Sequence, residues 1–98
     1  MPTTFEFTTT AAATDAQGAV EELLRRNQGM FGSAQVLGVL DRVDVAVALA
    51  EHDGGTAAEL AEISAAGRAK ASGQPLVDAE WAKGTLLLDL WAGLAALR

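Results

Sequence analysis

A chain of 98 residues with thirteen acidic side chains against seven basic ones carries a formal net charge of −6, a balance that opposes nucleic acid and anionic membrane surfaces as partners. The length suits one domain. Half of the residues are apolar but many of those are alanine, so large core-forming side chains are few. Cysteine is absent, which excludes disulfides, thiolate zinc sites and thiol nucleophiles.

Residues 1–13 lack the basic n-region and continuous apolar h-region of a signal peptide. No apolar run is long and uncharged enough to span a bilayer, since Asp41, Arg42 and Asp44 interrupt the middle one and Asp89 the last. The expected location is the cytoplasm. Residues 1–13 read as an extended arm in which Phe5 and Phe7 alternate with Glu6, a pattern also compatible with a short strand at 4–8. The remainder, 14–98, reads as a single helical domain.

Thr14 and Gln17 have capping-box spacing and predict a helix starting near Thr14. Ala16, Ala19, Val20, Leu23 and Leu24 follow helical spacing, with Met30 or Phe31 extending the stripe. Glu21 and Glu22 precede Arg25 and Arg26 at i,i+4, which suits both pairing and the helix dipole. Gly29 or Gly32 supplies the stop. Ser33 then caps a second helix reaching about His52, with Val36, Val39, Leu40, Val43, Ala46, Val47 and Ala50 on its apolar face. Between residues 43 and 49, valine and leucine alternate with Asp44, Ala46 and Ala48, so a β-strand is the competing reading. Paired with 4–8, that strand would make the fold α+β.

Gly54 and Gly55 break the second helix, and Thr56 with Glu59 has the spacing of a capping box for a third. Its body, 57–72, is rich in alanine (seven of sixteen residues), and Gly67 permits close helix approach. Ser72 to Pro75 form a loop. Asp78 is the expected N-cap of the last helix, with Val77 in the staple position before it. Trp81, Leu88, Trp91 and Ala95 line one stripe of that helix, and Leu87, Leu90, Leu94 and Leu97 the adjoining one. Its polar face is narrower than a surface helix of a small monomer normally carries.

Few residues are placed for chemistry. Glu51-His52-Asp53 is the one place where an imidazole meets carboxylates, and its expected role is a polar helix end, because neighbouring residues point apart and no second histidine exists. Glu59 and Glu62 share a helix face without the Glu-x-x-His signature of di-iron bundles and read as a solvated surface. No phosphate-binding loop, nucleophile elbow or zinc-protease pattern is present. An enzyme is not expected, and neither is a metal or cofactor.

Thr56 to Glu62, Thr-Ala-Ala-Glu-Leu-Ala-Glu, resembles the first helix of many bacterial helix-turn-helix regulators. The resemblance covers less than a fifth of the chain and implies a DNA-binding reading of 56–72 with Arg68 and Lys70 on a recognition helix. The chain departs from that pattern at Ala65, where a glycine is usual, and at Gly73 and Pro75, which shorten the second helix.

The fold expected from these signals is all-α, a small bundle of about four helices with an extended N-terminal arm. The expected function is non-catalytic association with protein, as a homo-oligomer or as a small subunit of a larger assembly. The expected partner-interface anchors are Trp81, Leu87, Leu90, Trp91, Leu94 and Leu97, which would otherwise have to fill the core of the chain itself.

Overall fold

Thr8 opens the first helix. In the computed structural model, which describes residues 8–98, its hydroxyl accepts the Ala11 amide at 3.1 Å, and helix α1 runs Thr9–Arg25. The helix therefore starts before Thr14, and 9–13 belong to it rather than to an arm. The alanine run explains the earlier start, since Ala12 and Ala13 are strong helix formers that are also buried against the core. Thr14 does not cap; its hydroxyl bonds back to the Thr10 carbonyl at 2.9 Å. The suggested strand at 4–8 lies outside the described residues except for Thr8, which is the cap.

α1 ends at Arg25, and Arg26 turns to an extended conformation with ψ 134°. Met30 and Phe31 do not continue the helical stripe. Met30–Gly32 forms a strand, β1, paired antiparallel with β2, Leu76–Asp78, in the register Met30↔Asp78, Phe31↔Val77, Gly32↔Leu76. Alternation along the ribbon puts Phe31 and Val77 inside, both at 0% exposure, and leaves Met30 and Leu76 outside. Bonds from Ser33 N–H to the Pro75 carbonyl and from Ala79 N–H to the Gly29 carbonyl tie the ribbon at both ends. Three-residue strands carry too weak a periodic signal to be read locally, which is why the sequence predicts only loop and helix here.

Helix α2 runs Ser33–His52 without interruption. Gly32, not Ser33, is its cap residue, and the Gln35 side chain reaches back to accept the Gly32 amide at 3.2 Å. The segment 43–49 is helical, so the strand reading fails. Val43, Ala46, Val47 and Ala50 are buried at helical spacing while Val45 is exposed, which is the 3.6-residue period prevailing over β-branched composition. Gly54, the one described residue at positive φ (86°), then reverses the chain.

Helix α3 runs Ala58–Ser72 from an N-cap, Ala57, that makes no side-chain bond. The Thr56–Glu59 box predicted from spacing does not form. The last helix, α4, spans 79–95: an α-helical turn at Ala79–Trp81, a π-helical segment at Ala82–Leu87 and a regular stretch at Leu88–Ala95. Asp78 caps it as expected, accepting the Glu80 amide at 2.9 Å. The wider i→i+5 turns break the phase between residues before and after the π segment. Trp81 accordingly leaves the stripe of Leu88 and Trp91 and lies under Lys70 of α3, whose ammonium is 4.5 Å from the ring centroid.

The cross-helix contacts give an up-down-up-down bundle. Asp15 of α1 meets Arg42 of α2 at 2.8 Å, and Asp44 and Asp41 of α2 meet Ser64 and Arg68 of α3. Leu86 and Leu60 lie against Gly67 and Gly93 respectively, which runs α3 and α4 antiparallel. Glu21 and Gln17 of α1 reach Trp91 of α4 and close the ring of helices. Gln17, predicted as a capping side chain, is instead 3% exposed and satisfied on both atoms, donating to the Trp91 carbonyl at 3.1 Å and accepting from Arg98 at 2.9 Å.

Gly67 sets the α3–α4 distance. A Cβ there would stand 2.6 Å from one Leu86 methyl and 3.0 Å from the other. Gly67→Ala is expected to lower stability by about 1–2 kcal/mol, because displacing the buried Leu86 costs more than the ~1 kcal/mol gained in helix propensity. A shift of the urea midpoint measures this, and an unchanged or higher midpoint would show that Leu86 repacks freely.

Candidate functional site

The six anchors predicted on the last helix separate into two groups. Leu87, Leu90 and Leu94 are each 0% exposed within the single chain and belong to one core with Val20, Leu40 and Val43. They are not partner contacts, because no surface of theirs reaches solvent. The physical reason lies in the alanine-rich composition of α1 and α3: with few large side chains there, the leucines of α4 must fill the centre. Trp81 and Leu97 are half-buried at the edge of that core, and Trp91 is 39% exposed.

What α4 presents outward overlaps those six at Trp91, adds Leu88, which was not among them, and is also apolar. Leu88 is 55% exposed and lies one turn from Trp91 on the same face. Ala92, Ala95 and Ala96 continue the face towards the C-terminal end. Asp89 is the single charged residue among those exposed at 84–96. The Trp91 ring is oriented by a long bond from its indole N–H to Glu21 at 3.4 Å, so Glu21 serves α4 while Glu22 makes the i,i+4 pair with Arg26 at 3.2 Å.

On its α3 side this face runs into an open groove of about 680 Å³ between the first turns of α3 and the last turns of α4. Leu60, Ile63, Gly93 and Leu97 form its apolar surface, and Glu59 and Asp89 stand on the two banks. Gly93 lets α3 approach at this point, since a Cβ there would come 2.8 Å from a Leu60 methyl. A shallower depression of about 310 Å³ between α1 and α2 is edged by Glu22, Arg26 and Arg42, whose charges pair within the chain.

The basic side chains singled out for nucleic acid are engaged elsewhere. Arg68 bonds to Asp41 at 2.7 Å and Asp44 at 2.8 Å. The hydrogen bond to Asp41, then that to Asp44, holds its pKa above the ordinary arginine value. Lys70 lies over Trp81. Residues 58–72 form one unbroken helix, so the segment resembling a helix-turn-helix contains no turn to set off a recognition helix. Lys83 donates to the Arg26 carbonyl at the end of α1 and sits 5.9 Å from the Phe31 ring centroid.

His52 is exposed at the end of α2, and its neighbour Asp53 accepts the Thr9 hydroxyl at 2.7 Å. No three acidic or imidazole side chains converge as a metal would need among the described residues. No buried side-chain polar atom among them lacks a partner, and no helix among them is long and apolar enough to cross a membrane. The long-range ion pairs join one helix to another, and among the described residues the outward face of α4 with its groove brings two exposed large apolar side chains, Leu88 and Trp91, onto one helix face. No family model, no curated protein and no solved structure matches the chain, so the functional reading rests on this geometry alone.

Proposed function

We propose that the chain is a non-catalytic protein–protein association module that self-assembles or docks as a small subunit through the outward face of α4. One observation carries the reading: of the eight exposed residues at 84–96, only Asp89 is charged, and Leu88 and Trp91 stand among them one turn apart. A solvent face of a helix in a small isolated domain ordinarily carries charge across it. Tryptophan is enriched among residues that dominate binding energy, and the Glu21 bond pre-orients this one, which lowers the cost of ordering it on contact. The anchors of the reading are Leu88 and Trp91 at the centre, with Leu97 at the margin.

Light scattering behind size exclusion over roughly a hundredfold range of concentration, for the native chain and Leu88→Glu, tests it. Leu88→Glu is expected to alter folding stability by no more than about 0.5 kcal/mol, because the side chain faces water. If the native chain is multimeric, the variant should run as a folded monomer. A multimer that persists unchanged in the variant would place the interface on another face. A native monomer at every concentration would remove self-assembly and leave docking to a different protein.

A further inference from the structure

We infer that the partner of this face is a basic amphipathic helix, whose apolar side chains enter the α3–α4 groove while its cations meet the two acidic banks. The inference rests on the association reading above and names what associates. Glu59 on α3 and Asp89 on α4 border the groove from opposite sides, and no basic residue among the described ones lines it.

A helix is the form of partner the surface fits. The groove lies between two antiparallel helices, and along α4 the small exposed side chains Ala92 and Ala96 allow another helical backbone to come close. The floor made by Leu60, Ile63 and Leu97 then takes large apolar side chains spaced one turn apart. A second copy of the chain is a poor occupant. It would bring another molecule of net charge −6 against these carboxylates, and juxtaposed like charges suppress such pairing. A partner with lysine or arginine flanking its apolar stripe gains instead in encounter rate and in register.

The test uses the full chain, labelled with ¹⁵N, and three synthetic peptides. The first is an amphipathic helix of about five turns with leucines on one face and lysines beside them. The second is the same peptide with glutamate for lysine, and the third a scrambled lysine peptide of equal composition. The lysine amphipath is expected to shift the amides of Leu60, Gly93 and Leu97, and to bind more weakly as salt is raised. Glu59→Lys with Asp89→Lys should weaken it about tenfold and let the glutamate peptide bind in its place. Both positions are exposed, and Glu59→Gln with Asp89→Asn provides a milder pair if the charge reversals disturb folding.

Equal binding by the lysine and glutamate amphipaths would overturn the basic-partner inference and leave the face as a docking surface. Equal binding by the scrambled peptide would reduce the attraction to net charge and overturn the inference as well. If neither amphipath shifts amides of α3 or α4, the basic-helix inference falls, while the association reading is decided separately by the light-scattering comparison with Leu88→Glu.

Discussion

Leu90→Asp will leave the chain unfolded at every concentration, with loss of the helical circular-dichroism signal and no folded monomer. Leu90 is 0% exposed and lies in the same core as Leu87, Leu94 and Val20. Truncating a buried leucine to alanine costs about 2–5 kcal/mol. An aspartate in the same place must also bury a carboxylate with no partner, or take up a proton to avoid it. A domain of this size has only about 5–15 kcal/mol in total, so Leu90→Ala should survive with a much lower denaturant midpoint and Leu90→Asp should not. Two residues earlier, Leu88→Glu should barely move that midpoint. A folded Leu90→Asp chain would show that the centre of α4 is not the core.

Phe31→Ala is expected to be the most damaging truncation outside the helices, at about 3–5 kcal/mol. Phe31 is the largest fully buried side chain among the described residues. It pairs with Val77 across the ribbon and sits beneath the Lys83 ammonium. Its loss opens a cavity where β1, β2 and the first turns of α4 meet, and the three-residue strands have little else to hold them together. Chemical denaturation followed by tryptophan fluorescence measures the change, because Trp81 stands at that end of α4. A midpoint within about 1 kcal/mol of the native chain would mean that the ribbon is peripheral to folding.

The sequence made the helical stretches legible because their signals repeat. Val36 to Ala50 places a buried side chain on one face at each turn of α2, and that repetition outweighed the β-branched alternation at 43–49. Asp78 was legible as a cap because one side chain and one amide suffice for it. The ribbon was not legible, since Met30–Gly32 and Leu76–Asp78 are each too short to show a period and are defined only by each other. Thr14–Gln17 and Thr56–Glu59 have the right spacing for capping boxes and make none, because a box also needs the helix to begin there. The start of α1 was set instead by Thr8 and the burial of Ala12 and Ala13.

For the candidate site, the apolar excess of 81–97 was visible in the residues themselves, but its division between inside and outside was not. A helical wheel treats Leu87, Leu90, Trp91 and Leu94 alike as one broad apolar sector. Packing separated them: Leu90 and Leu94 face the centre of the bundle, Trp91 turns to Glu21, and Leu88 is left in water. The π segment moved Trp81 out of that sector altogether, towards Lys70. The acidic banks of the groove needed both helices in place, because Glu59 and Asp89 are thirty residues apart in the chain and share a site only through the closeness that Gly67 and Gly93 permit.

The amino-acid sequence by itself determined the number of helices, the caps at Asp78 and the break at Gly54-Gly55, and the apolar character of the last helix, since each depends on residues within a turn or two of one another. The tertiary structure decided which leucines became core, where the ribbon paired, and which apolar surface stayed open. Those outcomes depend on contacts between residues far apart in the chain, where burial of one side chain is settled by the size of another on a different helix.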